Sequence, residues 1–127
     1  KILKDMEGQY DFAVCDFHAE ATSEKQALAF YLDGRISAIW GTHTHVQTAD
    51  ERVLPNGTGF VCDLGMCGAY NSVIGTAPEK SLATFLGSVP ERFTEASGPA
   101  MINGACFDIS EGGRCVSVTR INKILKG

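Results

Sequence analysis

Apolar and polar positions in this chain fall into short blocks whose period switches several times, which predicts a mixed α/β fold. Ile2, Leu3 and Met6 stand among charges ahead of Gly8, the pattern of an amphipathic helix near its end. Residues 10–17 predict a strand, with His18 just beyond it. Ser23 with Gln26 three residues on forms a capping-box pattern, and Leu28, Tyr31 and Leu32, with Ala27 and Phe30 alongside, supply an apolar helical stripe that Gly34 ends. A second strand is expected over 36–40. Strand, helix and strand with short links make a βα unit in a sheet covered by helices.

The later chain has another texture. Pro55-Asn56-Gly57 is a turn signal before an expected strand at 58–64, and Gly65, Gly68 and Gly75 then break the chain into loop. A short helix is expected over 78–86 with Pro78 in its first turn. Residues 100–109 and 114–121, separated by Glu111-Gly112-Gly113, predict a β-hairpin. No internal repeat or linker divides the 127 residues, so they are expected to belong to a single domain.

The chemistry concentrates in Gly41-Thr42-His43-Thr44-His45-Val46-Gln47, directly after the second strand. Side chains repeat every second residue in extended chain, so His43 and His45 are expected to point into one pocket. His18, the remaining histidine, follows the neighbouring strand. Sites in open α/β sheets form outside the carboxyl ends of strands, so the three rings are expected to converge there. Neutral imidazole is the commonest protein ligand for transition metals, and three suffice for a mononuclear zinc set. Glu20 is expected to steady His18, and Thr42 and Thr44 to bond backbone or ligand. The competing explanation is a set of surface histidines on polar loops.

Composition narrows the options modestly. At 44% hydrophobic and 20% charged, the chain has the make-up of an ordinary soluble globular protein. A net charge of −4 with scattered basic residues argues against DNA or RNA as partner, while a small phosphorylated ligand stays compatible if metal supplies the positive charge. No apolar run reaches the length of a membrane span and no signal peptide opens the chain, so a cytoplasmic setting is expected. Of five cysteines, Cys15, Cys62, Cys106 and Cys115 lie in apolar runs and are expected to be buried free thiols. Cys62 and Cys67 have a marginal zinc-pair spacing with no second pair after them.

Residues 16–25 (Asp-Phe-His-Ala-Glu-Ala-Thr-Ser-Glu-Lys) and 41–51 (Gly-Thr-His-Thr-His-Val-Gln-Thr-Ala-Asp-Glu) resemble signatures of the YmdB family of bacterial metallophosphoesterases. Asp63-Leu64-Gly65-Met66-Cys67-Gly68 and Ser72-Val73-Ile74-Gly75 are similar to that family in the same order. The resemblance implies an α/β fold, the C-terminal half of a calcineurin-like metallophosphatase sandwich with mixed sheets flanked by helices. It implies hydrolysis of 2′,3′-cyclic nucleotides at a dinuclear site of iron or manganese, His18 and His43 binding one metal and His45 the other. It also implies that the family's first-strand Asp, Glu-Asn pair and Asn-His pair, which include the general acid, belong to an N-terminal half that this chain does not contain. The 127 residues are therefore expected to be a C-terminal piece, weak in metal binding and nearly inactive alone. The missing half is an expected partner, and a homo-oligomer is expected because the sheet edge and core face of a half-sandwich are otherwise bare.

Thr42, Thr44, Tyr70 and Asn71 are the expected substrate-side residues, the last two on the glycine-rich loop. Amidohydrolases also place His-x-His after a strand, but they need further histidines and none follows His45. Capsule-assembly metallophosphatase relatives share a similar His-x-His-Val-Gln segment, and an inactive metal-binding or regulatory module is the non-enzyme alternative.

Overall fold

The computed structural model describes residues 1–89 and 92–125. A short helix, α1 (Ile2–Asp5), leads to strand β1 (Val14–His18), helix α2 (Thr22–Leu32) and strand β2 (Ala38–Thr42). Strands β3 (Arg52–Val53), β4 (Gly59–Val61) and β5 (Gly68–Ala69) follow, then helix α3 (Pro78–Phe85) and the long strands β6 (Ala100–Ile109) and β7 (Cys115–Leu125). The architecture is mixed α/β with two sheets. The first has the order β1-β2-β4-β3, with β1, β2 and β4 parallel and β3 antiparallel; the second is the antiparallel β5-β6-β7.

The alternation of side chains across the first sheet decides what covers each face. Ile39 and Phe60 are register partners on one face, where they pack with Ala29 of α2 and with Leu28, Leu32, Cys15 and Phe17. Trp40 and Gly59 point the other way, toward the β6–β7 hairpin. There Trp40 stacks 5.7 Å from Phe107, and a Cβ at Gly59 would meet Cys115 and Phe107. The register of β1 with β2 places Asp16 opposite Trp40 and His18 opposite Thr42, so both lie on the hairpin side.

Several expectations need correcting. The second strand begins and ends two residues later than its apolar run, and His18 is the last residue of β1, not the first after it. The Ser23–Gln26 box is not used: Ala21 is the N-cap and makes no side-chain capping bond. The buried positions of α2 are Lys25 and Ala29, while Phe30 and Tyr31 are exposed. Tyr31 instead lies under the Arg35 guanidinium, 4.9 Å from its ring centre. Among the thiols, Cys62 and Cys115 are buried as expected, Cys15 is half-buried, and Cys106 is exposed because it falls on the outward side of β6. Burial pushes the Cys62 thiol up from its usual range, with Asp50 adding to the effect.

Candidate metal centre

β1 and β2 run parallel, so both release their carboxyl ends on one side, and the register sets His18 beside Thr42. There His18 Nδ1 lies 3.1 Å from Thr42 Oγ1, and His18 Nε2 lies 3.0 Å from His43 Nδ1. The two rings meet edge to face with centroids 4.9 Å apart. The outer nitrogen of His43, Nε2, is 2.6 Å from Glu20 Oε2. Glu20 therefore steadies His43, not His18.

Proton counting constrains this chain of contacts. The Glu20 carboxylate accepts from His43 Nε2–H, and in the His43–His18 contact one ring nitrogen donates and the other accepts. In the contact between His18 Nδ1 and the Thr42 hydroxyl, either group can donate. Thr42 Oγ1 also donates to Asp16 Oδ1 at 3.4 Å.

Among the described residues, no hydrogen bond joins the His45 ring to His18 or His43. Both His43 (φ 125°) and His45 (φ 64°) have left-handed backbone, so the two-residue repeat of an extended chain does not apply. His45 borders a cleft with Val46, Gln47, Met101, Asn103 and residues of β7, and neither His18 nor His43 borders it. Among the described residues, no group of three or more His, Cys, Asp or Glu side chains is placed to hold a metal ion. Cys62 is buried and Cys67 is exposed, its Sγ–H donating to the Asn103 carbonyl at 3.4 Å.

What holds the histidine loop is a buried ion pair that the sequence pattern did not reveal. Lys25 Nζ lies 2.8 Å from Asp63 Oδ2, and both side chains are only 1% exposed. The same Oδ2 accepts the backbone N–H of Thr44 at 3.0 Å, between the two histidines of the loop, while Oδ1 accepts Gly65 N–H at 2.9 Å. Burial alone would raise the Asp63 carboxyl, but Lys25 and the Thr44 and Gly65 amides outweigh it and hold the group below its ordinary value of 3.8. One signal was available. Lys25, Leu28, Ala29 and Leu32 share helical spacing, which places a charge in the buried stripe.

A second anchor ties the loop to the hairpin. Gln47 Nε2 donates to the carbonyls of Gly104 (3.0 Å) and Ile121 (2.9 Å), which are register partners across β6 and β7. Gln47→Ala leaves both carbonyls without that donor, and the expected cost is about 1–3 kcal/mol in urea unfolding. An unchanged midpoint would show the amide to be dispensable. Thr44 Oγ1 donates to the Val46 carbonyl at 3.0 Å, so Thr44, like Thr42, shapes the loop. Tyr70 is half exposed and its N–H donates to the Pro99 carbonyl, while Asn71 borders a different cleft with Glu79 and Glu95. Neither lines the cleft beside His45.

Residues 1–121 match the YmdB-like protein family. The chain belongs to that family. A Bacillus subtilis 2′,3′-cyclic-nucleotide 2′-phosphodiesterase is 50% identical over 84% of the chain and 40% of its own length. A Mycoplasma pneumoniae protein assigned as a phosphatase/phosphodiesterase is 39% identical over 99% of the chain and 46% of its own length. Among solved structures, a protein of Thermus thermophilus superposes with a TM-score of 0.86 at 45% identity, covering 98% of this chain and 48% of that one. A phosphatase from Mycoplasma pneumoniae gives 0.85 at 36% identity, with coverages of 98% and 46%. The YmdB-like chain thus spans less than half the length of the relatives it matches. No described helix is long and apolar enough to cross a membrane.

Proposed function

We propose that this chain supplies one half of the catalytic centre of a metal-dependent phosphodiesterase acting on 2′,3′-cyclic nucleotides or related phosphoesters. The remaining metal donors and the general acid come from a further stretch of polypeptide, as the length of the relatives suggests. The whole would form a calcineurin-like sandwich around two ions, iron or manganese, working in the cytoplasm as an assembly of copies. His18, His43 and His45 are the ligands this chain contributes.

The observation that carries the reading is the meeting of His18 and His43, each with its far nitrogen already tied down. His18 Nε2 and His43 Nδ1 are 3.0 Å apart. An octahedral ion with bonds of about 2.1 Å sets neighbouring ligands about 3.0 Å apart, so the pair fits. Thr42 fixes His18 Nδ1 and Glu20 fixes His43 Nε2, the outer partners that metal-bound imidazoles usually have. The chemistry supplied by bound metal is a nucleophilic hydroxide at neutral pH and charge neutralisation on the phosphoryl oxygens. Water then adds across one P–O ester bond, giving a phosphomonoester and a free hydroxyl. The residues of the chain hold and orient: Thr42 and Glu20 fix the ring planes, and Asp63 fixes the Thr44 amide between His43 and His45.

The test is manganese binding by titration calorimetry. The 127-residue chain should bind weakly, and His18→Ala and His43→Ala should each lower the affinity at least tenfold while the melting temperature holds. In the longer protein the same variants should lose on the order of 100-fold in cyclic-nucleotide hydrolysis. Unaltered manganese affinity in both variants would remove the basis of the proposal.

A further inference from the structure

The cleft beside His45 has a volume of about 210 Å³ and is lined by Val46, Met101, Asn103, Arg120 and Asn122 together with Gln47. We propose that it is the subsite for the heterocyclic base of a nucleotide substrate, an assignment that rests on the phosphoesterase reading above. Its position follows from the strand pattern. Met101 and Asn103 alternate on β6, Arg120 and Asn122 alternate on β7, and Asn103 lies directly opposite Asn122. All four project from one face of the hairpin, against the loop that carries His45.

The hydrogen bonds within the cleft leave a defined remainder. Asn103 Nδ2 donates to the Met66 carbonyl at 2.8 Å, and Asn122 Nδ2 donates to Asn103 Oδ1 at 2.7 Å. These bonds fix which way both amides face. Among the described residues, Asn122 keeps its carbonyl oxygen and one N–H unspent. An acceptor and a donor side by side on one planar amide complement the polar edge of a nucleobase, as asparagine does when it reads adenine. Arg120 Nε lies 3.4 Å from Glu51 Oε1, an ion pair, and its terminal nitrogens are left for a further acceptor.

Size and composition select the base over the other parts of a nucleotide. The cleft is smaller than the roughly 300–1,000 Å³ that encloses a whole drug-sized ligand, and one ring system fits it. A phosphate subsite would gather cations, whereas this one has a single arginine, three amides and the apolar surface of Val46 and Met101. A thioether is a suitable bed for a flat ring. His45, on the rim of the cleft, belongs to the same loop as His43.

The experiment is an NMR titration of the ¹⁵N-labelled 127-residue chain with adenosine 3′-monophosphate, ribose 5-phosphate and inorganic phosphate. The nucleotide should bind about tenfold more tightly than ribose 5-phosphate and shift the side-chain amide signals of Asn103 and Asn122. Asn122→Ala should erase that tenfold preference and leave ribose 5-phosphate binding as it was. If the three ligands bind alike, shifting His18 and His43 but neither amide, the base subsite is overturned and the phosphoesterase reading stands. If no ligand shifts any signal, the base subsite is overturned, and the phosphoesterase reading is decided separately by the manganese titration of the His18→Ala and His43→Ala variants. The comparison between ligands needs no variant, so a poorly folding Asn122→Ala protein does not spoil it.

Discussion

Alanine at position 41 is expected to cost the fold on the order of 4 kcal/mol or more, or to prevent folding. A Cβ there would stand 1.9 Å from the Cys62 carbonyl oxygen and 2.7 Å from Lys25 Cδ. The lysine stem can rotate, but the carbonyl cannot retreat. It follows β4, which is hydrogen-bonded to β2, and the Gly41 carbonyl itself accepts Leu64 N–H at 2.9 Å. Relief would have to come from separating two central strands, and the histidine loop begins at the next turn of the chain. Gly104→Ala is the matched control, because a Cβ on that strand glycine meets nothing within 4 Å. Thermal melts should show a loss of roughly 10–20 °C for Gly41→Ala and little change for Gly104→Ala. Equal melting temperatures would mean that the strands yield more easily than their pairing indicates.

The second large effect concerns Lys25. Removing one member of a buried ion pair strands the other, and Lys25→Ala should cost about 3–5 kcal/mol in urea unfolding at neutral pH. Asp63 would keep the Thr44 and Gly65 amides but lose its cation. The same pair sets an acid limit. The Asp63 carboxyl lies lower in the folded chain than in the unfolded one, so its contribution is complete above the ordinary value near 3.8 and is lost as pH falls below it through the folded value. Stability should therefore drop below about pH 4, and the drop should shrink in Asp63→Asn. A double Lys25→Met/Asp63→Leu variant separates charge from clamp. It should recover most of the stability, because well-packed apolar replacements often match a buried pair, while the Thr44 amide loses its acceptor. Faster hydrogen exchange at Thr44 in a stable double variant would confirm the clamp, and unchanged exchange would refute it.

The parts of this fold that were legible in the sequence are those governed by local pattern. Alternation in residues 114–121 marked β7, the Glu111-Gly112-Gly113 turn marked the hairpin, and Pro78 marked the first turn of α3. The pairing of His18 with His43 was legible through strand-end placement, because parallel neighbours release their carboxyl ends on one side of the sheet. His45 was not. Its setting includes left-handed backbone at His43 and His45, which no apolar period encodes and which non-glycine residues seldom adopt. Lys25–Asp63 escaped for another reason, since the partners are far apart in the chain and a lysine on a helix reads as solvated unless its buried stripe is traced. Ser23 and Gln26 show the opposite failure: a valid local signal that the tertiary start of α2 at Ala21 bypassed.

The loop bearing His43 and His45 is fastened by Asp63 from below and by Gln47 from the side, and neither bond involves an imidazole. Reactivity and framework are thus separable here. Evolution, or a protein engineer, can exchange the rings for other donor side chains and retune the chemistry while the mount beneath them stays in place.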